Sequence, residues 1–510
     1  MDTKLVILVL VGLIQQISGT SVICYHGTWS HYRLGNGKFS VSDVPAKLCT
    51  HYIYTFVGLD SDTNEVKSLD SWLDINLNGL NDANALKTVN PNLKTLLAVG
   101  GWNDGSAKYS VMAANATSRA TFIASALKWV QKYNFDGFDI DWEYPARRDS
   151  SNPADKENFS KLIKEFYKTF HPLGLLVTAA VSAAPSYIDI SYDVPALSKY
   201  LDFINVMLYD FHGAWENTAS HNAPLYSAAR FAGTVYADYS VNASIHGWIS
   251  RGASPSKLAL GVPFYGRNNI LSNPDKTAPG SATTATGGVA GPYTATSGFL
   301  GYNEIIEKFN EGGWTTAWDD EQKVPYAFSG TTWLSYENKE SLTLKVAYAK
   351  SLCLGAIMLW SIETEDFLGL SGTKYPLLEI IHNELNSNET ADSSSSTKTA
   401  SATTTTTSTT TTTPTTTTVS TTTTTTTTPT ASSTSSSSSS TSSSTTSASE
   451  ITKEDVCTAP GYFRSSANCR VFYYCQLSGI RYIVTKLICS AGLFYDTKLG
   501  ICNYEKAVTC

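Results

Sequence analysis

The stretch FDGFDIDWEYP, residues 135–145, places four carboxylates in eight positions of a segment that otherwise has the composition of a buried strand. They are Asp136, Asp139, Asp141 and Glu143. Only 16% of the 510 residues are charged, so the chain concentrates its acids here far above its own average. A cluster of this kind needs a chemical explanation, and the geometry of a strand supplies part of it.

Side chains of a β-strand alternate between its two faces, so the last three acids share one face and the apolar side chains between them share the other. Asp136 is out of phase, and we expect it to satisfy a backbone group or a neighbour where the strand begins. Same-face residues lie about 6.5–7 Å apart. Their charges therefore interact strongly in a poorly solvated interior, and at least one proton should be retained up to neutral pH.

A carboxylic acid that stays protonated at neutral pH can protonate a poor alkoxide leaving group, which favours glycosidic cleavage. Two alternatives are a calcium site and a ladder of acids paired with arginines. Calcium needs more oxygen ligands, and a looped backbone, than one strand supplies. The pattern therefore favours an acid–base site.

Eight short apolar runs alternate with longer stretches of helical periodicity between residues 21 and 385, which predicts an α/β fold of the (β/α)₈ TIM-barrel type. The interval 265–335 is too long for one crossover, and we expect a small inserted α+β lobe there, between strands 7 and 8. The acids should step toward the carboxyl end of their strand, where barrel enzymes hold their sites. The predicted strands are 22–25, 52–56, 95–99, 137–141, 176–181, 203–207, 258–262 and 356–360, with helices such as 118–133 and 156–170 between them.

The two ends of the chain differ from this region in composition. Residues 1–20 have a short polar start, an apolar run from Leu5 to Ile14 and small residues at the end, which indicates a cleaved secretory signal rather than a membrane anchor. Residues 386–453 are a Ser/Thr-rich, disordered linker in our interpretation, either O-glycosylated or a bare tether. Residues 454–510 carry six of the nine cysteines, which predicts a small domain with three disulfides and fifteen connectivities to choose from.

Charge and motifs exclude several classes of function. The formal net charge is −7, with lysine and arginine scattered along the chain, so nothing favours a nucleic-acid partner. No H-E-x-x-H, G-x-S-x-G or phosphate-binding loop occurs. We therefore expect no metal and no cofactor, no membrane partner, and an exported monomer acting on a neutral substrate.

At this point the sequence resembles a known family. DGFDIDWEYP resembles the D-x-x-D-x-D-x-E signature of glycoside hydrolase family 18, the chitinase family, and six further stretches resemble its other landmarks in order. The resemblance covers residues 21–385, is strongest to arthropod chitinases, and implies the same barrel with an inserted lobe. The further stretches are CYHGTWS (24–30), YIYTF (52–56), AVGGWNDG (98–105), NVMLYDFHGAWE (205–216), GVPFYGR (261–267) and GAIMLWSIETEDF (355–367).

The resemblance implies a role for each matching residue. Glu143 would be the general acid and later the base, Asp141 would hold the substrate's acetamido N–H, and Asp139 would support Asp141 and share its proton. Tyr209 would steady the acetamido oxygen, which itself attacks the anomeric carbon, so the substrate would be chitin or its N-acetylglucosamine oligomers. The implied substrate-binding residues are Tyr25, Phe56, Trp102, Met207, Asp210, Trp215, Tyr265, Arg267 and Trp360, and Trp29 is a further candidate for the groove.

The cysteines follow family patterns as well. Cys24 and Cys49 match a disulfide common in the family, whereas Cys353 lies in an apolar run and is expected to be a buried free thiol. The tail resembles the peritrophin-A type of chitin-binding domain, through VFYYC, CSAGLFYD and ICNYEKAVTC. That resemblance implies three pairs, Cys457 with Cys475, Cys469 with Cys510, and Cys489 with Cys502.

Other functions stay open at this level. A lectin on the same barrel would bind chitin fragments without cutting them, although such relatives usually replace the acid that Glu143 represents here. A secreted signalling or structural protein of the same fold is a further alternative. An endo-acting glycosidase on N-glycans is also compatible with the barrel, but the tail favours chitin.

Overall fold

The computed structural model describes residues 20–148, 152–284 and 286–387, and in the tail 461–465, 468–478, 481–488, 493–497 and 501–504. The chain divides into two units, Met1–Thr397 and Lys398–Cys510. The predicted signal up to residue 19 and almost all of the predicted linker lie outside the described residues. Among the helices that are described, none has the length and apolar character to cross a membrane.

Eight parallel strands form the centre of the first unit, as the sequence predicts. Each pairs with the next, and the first also pairs with the last, so the sheet closes into a barrel surrounded by helices. Three strands have the predicted bounds, and the others are longer by one to four residues. The strands are β1 Ser21–Gly27, β2 His51–Leu59, β3 Lys94–Gly100, β4 Gly137–Asp141, β5 Leu176–Ser182, β6 Phe203–Met207, β7 Leu258–Pro263 and β8 Ala356–Trp360.

Helices connect the strands on the outside of the barrel. The helix Ala116–Tyr133 begins two residues before its predicted start because the Asn115 side chain caps it, accepting from the backbone N–H groups of Thr117 at 2.8 Å and Ser118 at 3.3 Å. The α-helices are Gly79–Ala85, Ala107–Ala114, Ala116–Tyr133, Asp155–Phe170, Pro185–Ser191, Val194–Tyr200, Val241–Ser250, Tyr302–Glu311, Lys339–Ser351 and Pro376–Asn386. Short helical turns at the carboxyl ends of β1, β3 and β8 are Thr28–Tyr32, Trp102–Asp104 and Ile362–Thr364.

The alternation along each strand separates two apolar regions. Outward-facing side chains pack against the helices: the Phe138 ring is stacked on Phe166 with centroids 5.6 Å apart. Full burial of a side chain of this size stabilises the fold by about 1.5–3 kcal/mol. Inward-facing residues fill the barrel itself, and these include Ile23, Tyr25, Ile53, Leu96, Ala98, Ala259, Ala356 and Met358.

A second, antiparallel sheet lies between β7 and β8, where the inserted lobe is predicted. It has five strands, in the spatial order Phe299–Gly301, Tyr265–Ile270, Thr332–Ser335, Val324–Ser329 and Thr315–Asp319. The helix Tyr302–Glu311 follows directly on the first of these. Because Tyr265 begins the lobe only two residues after β7 ends, the lobe's first strand starts at the mouth of the barrel.

The cysteines of the first unit fall into two classes. A disulfide joins Cys24 on β1 to Cys49, with a Cα–Cα distance of 6.1 Å, in agreement with the family resemblance. The expectation of a buried thiol at Cys353 is wrong, because that side chain is free and exposed. It follows the helix Lys339–Ser351 with a φ of 53°, a left-handed conformation that ends the helix and turns the residue outward.

The described part of the second unit is made of β-strands. A three-stranded antiparallel sheet comprises Gly461–Arg464, Val471–Ser478 and Arg481–Ile488, and a hairpin pairs Leu493–Asp496 with Ile501–Tyr504. Cys469 is disulfide-bonded. The side chains of Cys457, Cys475, Cys489, Cys502 and Cys510 lie outside the described residues, so the three pairings remain predictions.

Candidate active site

Asp139 lies inside the barrel with none of its surface exposed. Its carboxylate accepts hydrogen bonds from the Tyr25 hydroxyl at 2.9 Å, from the Thr178 hydroxyl, and from the Asn205 amide at 3.3 Å. Burial raises the pKa of Asp139 to about 6, although the three donors favour the ionised form and oppose that rise. The residue is thus held rigidly on three sides and titrates close to neutral pH.

Asp141 is one step nearer the mouth on the same face and is 5% exposed. Burial raises the pKa of Asp141 well above its usual range, and the neighbouring Glu143 and Asp139 carboxyls raise it further. Within the described part of the chain no group donates a hydrogen bond to its Oδ1 atom. A buried acceptor without a protein partner is costly, and a donor on a bound ligand would satisfy it.

Glu143 follows the last residue of β4 by two positions and is half-buried at the barrel mouth. Burial raises the pKa of Glu143 to about 7; the Tyr144 hydroxyl and the Arg148 guanidinium favour its ionised form and limit that rise. A carboxyl with this pKa is present in both protonation states near pH 7. It can therefore donate a proton in one step and accept one in the next.

Asp136 behaves differently, as its phase predicts. It accepts from the Thr95 backbone N–H at 2.9 Å and pairs with Lys87 at 2.6 Å and Lys94 at 3.5 Å. Although partial burial opposes ionisation, Lys87 and Thr95 hold the pKa of Asp136 below its usual value. The residue anchors the beginning of β4 to the neighbouring strand, far from the mouth.

A second polar group stands across the mouth, after β6 and at the start of the inserted lobe. The Asp210 carboxylate accepts from the Tyr265 hydroxyl at 2.7 Å and from both Nε and Nη2 of Arg267 at 2.7 Å each. Tyr209 lies beside Tyr265, with ring centroids 6.0 Å apart, and its hydroxyl contacts the Met358 sulfur at 3.8 Å. Because sulfur is a weak acceptor, the Tyr209 proton stays available to a stronger one.

Aromatic rings form the floor of the mouth. Trp360, the last residue of β8, is stacked on Phe56 with centroids 5.9 Å apart and meets Tyr25 edge-on at 5.8 Å. Trp29 is stacked on Phe56 at 6.3 Å. Met207 at the end of β6 packs against the same interior cluster. Flat apolar faces beside carboxyls suit a sugar ring, whose axial C–H groups are apolar and whose hydroxyls are polar.

Two exposed tryptophans continue this surface outward. Trp102 is 57% exposed and Trp215 is 58% exposed, which is unusual for the largest apolar side chain. Each carries an arginine over its ring: Arg148 is 3.6 Å from the Trp102 centroid and Arg267 is 5.2 Å from that of Trp215. The arginines hold the rings in place while leaving part of each face open.

The structure thus gathers the residues that the family resemblance implies for the site in and around one barrel mouth, whereas Asp136 lies away from it. It also adds residues that the sequence does not single out, namely Thr178 and Asn205 on Asp139, and Arg148 on Trp102. Thr178 stands opposite Asp139 in the register of β4 and β5, so a correct strand register would have identified it. Within the described ranges, no three His, Cys, Asp or Glu side chains are grouped as metal ligands.

The chain is similar to known proteins over both of its units. The family model of glycosyl hydrolases family 18 matches residues 21–365, and that of the chitin binding peritrophin-A domain matches residues 457–510. An endochitinase of Manduca sexta is 38% identical over 392 residues, 75% of this chain and 70% of that protein. The crystal structure of Ostrinia furnacalis Group IV chitinase is 48% identical, with a TM-score of 0.70, over 72% of this chain and 99% of that one.

Human YKL-39 also has a similar structure, and it is described as a pseudo-chitinase with retained chitooligosaccharide binding properties. It is 36% identical, with a TM-score of 0.67, over 72% of this chain and 100% of that one. The same barrel therefore also occurs in a protein described as a pseudo-chitinase.

Proposed function

The chain belongs to glycosyl hydrolases family 18 and is a chitinase with a peritrophin-A chitin-binding domain, and from that premise we propose that it is an exported, endo-acting enzyme that cleaves chitin with retention of anomeric configuration. The observation that carries the proposal is the pair of acids at the mouth. Asp141 offers a buried, unpartnered acceptor, and Glu143 beside it exists in both protonation states near neutral pH.

In the first step, Glu143 donates its proton to the oxygen of the bond being cut, and the leaving sugar departs as an alcohol. The acetamido oxygen of the other sugar attacks the anomeric carbon and forms a cyclic oxazolinium-type intermediate. Its N–H donates to Asp141 Oδ1, and the positive charge is stabilised by the negative charge of the Asp139–Asp141 pair, in which Asp139 shares the proton of Asp141. The Tyr209 hydroxyl donates to the acetamido oxygen and holds it in line for attack.

In the second step, the Glu143 carboxylate takes a proton from water, and the resulting nucleophile opens the intermediate on the face from which the first sugar left. Two inversions give net retention. Asp210 and Arg267 hydrogen-bond the sugar, and Tyr25, Phe56, Met207, Tyr265 and Trp360 surround the acetamido group. No protein nucleophile is required, so the reaction selects 2-acetamido sugars.

Endo action is supported by the open mouth. Trp29, Trp102 and Trp215 expose ring surface at its edges, which lets a long polymer lie across the site on stacked aromatic faces. The Manduca sexta relative is named an endochitinase. We extend that mode of action to this chain.

Export is supported by the apolar run 5–14 and by the Cys24–Cys49 disulfide, since disulfides persist in oxidising compartments. Exported proteins carry glycans on N-x-Ser/Thr sites. Asn115, in such a site, is exposed, whereas Asn158, in another, is 7% exposed. We assign a glycan to Asn115 and none to Asn158. Residues 386–453 would serve as an O-glycosylated stalk to the tail.

The experiment that tests the assignment of the acid is Glu143→Gln, compared with Asp136→Asn from the same stretch. Glu143→Gln should lower kcat on a soluble chitin oligomer by about 10²–10⁴-fold, with binding of the oligomer retained. Asp136→Asn should keep the turnover and lose only thermal stability. Unchanged turnover in Glu143→Gln rules the role out, and a wild-type chain that binds without cutting would place it with the pseudo-chitinases.

Substrate assistance has its own test. A fully deacetylated oligomer lacks the attacking acetamido oxygen, so we expect no detectable cleavage of it under conditions that cleave the acetylated oligomer completely. An oxazoline or thiazoline mimic of the intermediate should inhibit competitively. Efficient cleavage of the deacetylated oligomer would show that some other nucleophile acts.

A further inference from the structure

One serine hydroxyl connects the residues on both sides of Glu143. The Trp142 indole N–H donates to Ser106 Oγ at 2.6 Å, and the Ser106 hydroxyl donates to the backbone carbonyl of Tyr144 at 3.2 Å. Glu143 therefore sits between two residues that are tied to the same atom. Ser106 itself lies in the loop that follows β3, the strand that pairs with β4 in the barrel.

Ser106 stands at the start of a helix, yet its hydroxyl does not serve that helix. Ser106 is the residue that precedes the helix Ala107–Ala114, where a serine side chain ordinarily accepts a backbone N–H and caps the helix. Here the side chain makes no such cap. The hydroxyl instead bonds Trp142 and Tyr144, just after β4, at the expense of a bond that would stabilise its own helix by about 1 kcal/mol.

Burial makes both bonds costly to lose. Ser106 is fully buried and Trp142 is 1% exposed, so water does not replace the hydroxyl if it is removed. An indole N–H left without an acceptor in such a place carries the full cost of its desolvation. The ring of Trp142 also contacts Tyr109, from the helix that Ser106 precedes, at 6.0 Å between centroids.

The same loop and helix hold the acid from other sides. The Trp102 backbone N–H favours the ionised form of the Glu143 carboxyl and so limits the rise of its pKa. Ser110, one turn beyond Ser106, donates to Asp155 at 2.7 Å, and Asp155 accepts from the Ala146 backbone N–H at 3.3 Å. The chain after Glu143 is thus held directly by Ser106 and, through Asp155, by Ser110.

We propose that Ser106 is a positioning residue for the proton donor: its hydroxyl holds the Trp142 side chain before Glu143 and the Tyr144 backbone after it, and so keeps the carboxyl at its place in the barrel mouth. The inference rests on the proposed role of Glu143. It assigns to the loop after β3 a function in catalysis that is separate from the contact of Trp102 with substrate.

The test is Ser106→Ala, assayed on a soluble chitin oligomer in the full chain. A misplaced catalytic group loses up to about 100-fold in rate, so we expect kcat to fall between about 10- and 100-fold with KM nearly unchanged. The alkaline limb of the pH–rate profile should move to lower pH, because a loosened carboxyl gains water and loses part of the burial that keeps it protonated. Ser106→Thr, which keeps the hydroxyl, should restore both kcat and the limb.

The matched control is Ser125→Ala, since Ser125 is also a buried serine whose Oγ accepts a hydrogen bond, from the Val66 N–H at 3.0 Å, but far from the mouth. It should lower the unfolding temperature and leave the pH–rate profile unchanged. If Ser106→Ala does not fold, Trp142→Phe removes the indole donor and should shift the limb in the same direction.

The inference would be overturned if folded Ser106→Ala had the wild-type kcat and an alkaline limb at the wild-type pH. If Ser106→Ala does not fold, the same result in Trp142→Phe would overturn it. Glu143→Gln, run beside them, separates the two levels of the argument. If Glu143→Gln is active, the proposed role of the acid fails. If it is inactive and Ser106→Ala behaves as wild type, only the positioning role fails.

Discussion

At the scale of single residues, one stretch of eight residues places carboxyls in different environments, and the environment decides the function of each. Asp136 is paired with two lysines at the strand entry and stays ionised. Asp139 has three neutral donors in the barrel interior. Glu143, at the mouth, is the one whose pKa, raised by burial to about 7, suits proton transfer at neutral pH.

The pH dependence of activity follows from that pKa. The first step needs Glu143 protonated, so kcat/KM on a soluble oligomer should fall as pH rises above about 7, with a tenfold loss per pH unit at the alkaline end. A rate profile between pH 4 and 10 measures this limb. A limb near pH 4.3, about the ordinary pKa of a glutamate, would contradict the assigned burial.

The free energy of unfolding should also depend on pH, through the same pKa of Glu143. Because folding raises the pKa of Glu143, the folded state holds this proton more tightly than the unfolded chain. The contribution to the free energy of unfolding is therefore complete below about pH 4.3, the ordinary glutamate pKa, and is lost as pH rises through about 7. We expect Glu143→Gln to unfold at a higher temperature than wild type at pH 8 and at nearly the same temperature at pH 4. If thermal melts give the same difference in unfolding temperature between Glu143→Gln and wild type at pH 4 and at pH 8, this expectation is contradicted.

The sequence predicted the environment of a residue well where the alternation of side chains along one strand determines it. It predicted poorly the contacts that depend on the register between two strands. The phase of β4 alone separates Asp136 from the other three acids, and the structure confirms it. Thr178, Asn205 and Ser106 were missed because each reaches β4 from another strand or loop. Nothing in a single sequence fixes which residue of a neighbouring strand stands opposite Asp139 or Trp142.

At the scale of elements, the turn that ends β3 brings its backbone against the end of β4. Gly101 N–H donates to the Asp141 carbonyl at 2.9 Å. Gly100 has a φ of 108°, and a Cβ added there would stand 2.1 Å from that same carbonyl oxygen. Only glycine allows both the conformation and the close approach. The GG pair of the AVGGWNDG motif is thus a packing requirement of the catalytic strand.

Gly100→Ala is therefore expected to displace the end of β4, lowering the unfolding temperature and removing most turnover. Gly174→Ala is the matched control, since Gly174 has a φ of 73° with nothing within 4 Å of an added Cβ. The free energy of unfolding of this control should fall only by the cost of placing alanine in the left-handed region, about 1–2 kcal/mol. Its kcat should stay at the wild-type value. Thermal melts and the oligomer assay measure both variants. Equal effects would show that conformation alone, and not contact with Asp141, makes Gly100 necessary.

The positions of the elements were predictable, but five of the eight strands extend one to four residues beyond their predicted bounds, and capping by Asn115 moves the start of one helix. The eight strands follow from apolar runs, because a strand buried on both faces has few polar residues. Cys353 shows the limit of that reasoning: the run SLCLGAIML indicates burial throughout, yet its first part ends a helix and only the part from Ala356 is strand. Cys353 lies in the left-handed turn between these two elements and is exposed, although the run around it is apolar.

At the scale of the whole molecule, the catalytic unit and the tail meet different requirements. The barrel has an extensive buried core, and the Ostrinia furnacalis structure corresponds over 99% of its length to 72% of this chain, so a unit of this size folds by itself. The tail is under 60 residues long and has six cysteines in place of a large core. Attachment of the tail to a solid polymer, as we propose, would raise the effective concentration of substrate at the barrel.

Removal of residues 454–510 should therefore separate cutting from retention. We expect the truncated chain to hydrolyse soluble oligomers with wild-type kcat and KM, because every residue proposed for the site lies in the first unit. On crystalline chitin, the fraction of enzyme bound at low loading should fall severalfold, and hydrolysis at dilute enzyme should fall with it, whereas saturating enzyme should hide the difference. Sedimentation of enzyme with chitin and the release of soluble sugars, measured over a range of enzyme concentrations, check both parts. Equal retention of the two chains would refute the anchoring role, and a loss on soluble oligomers would mean that the tail acts on the site itself.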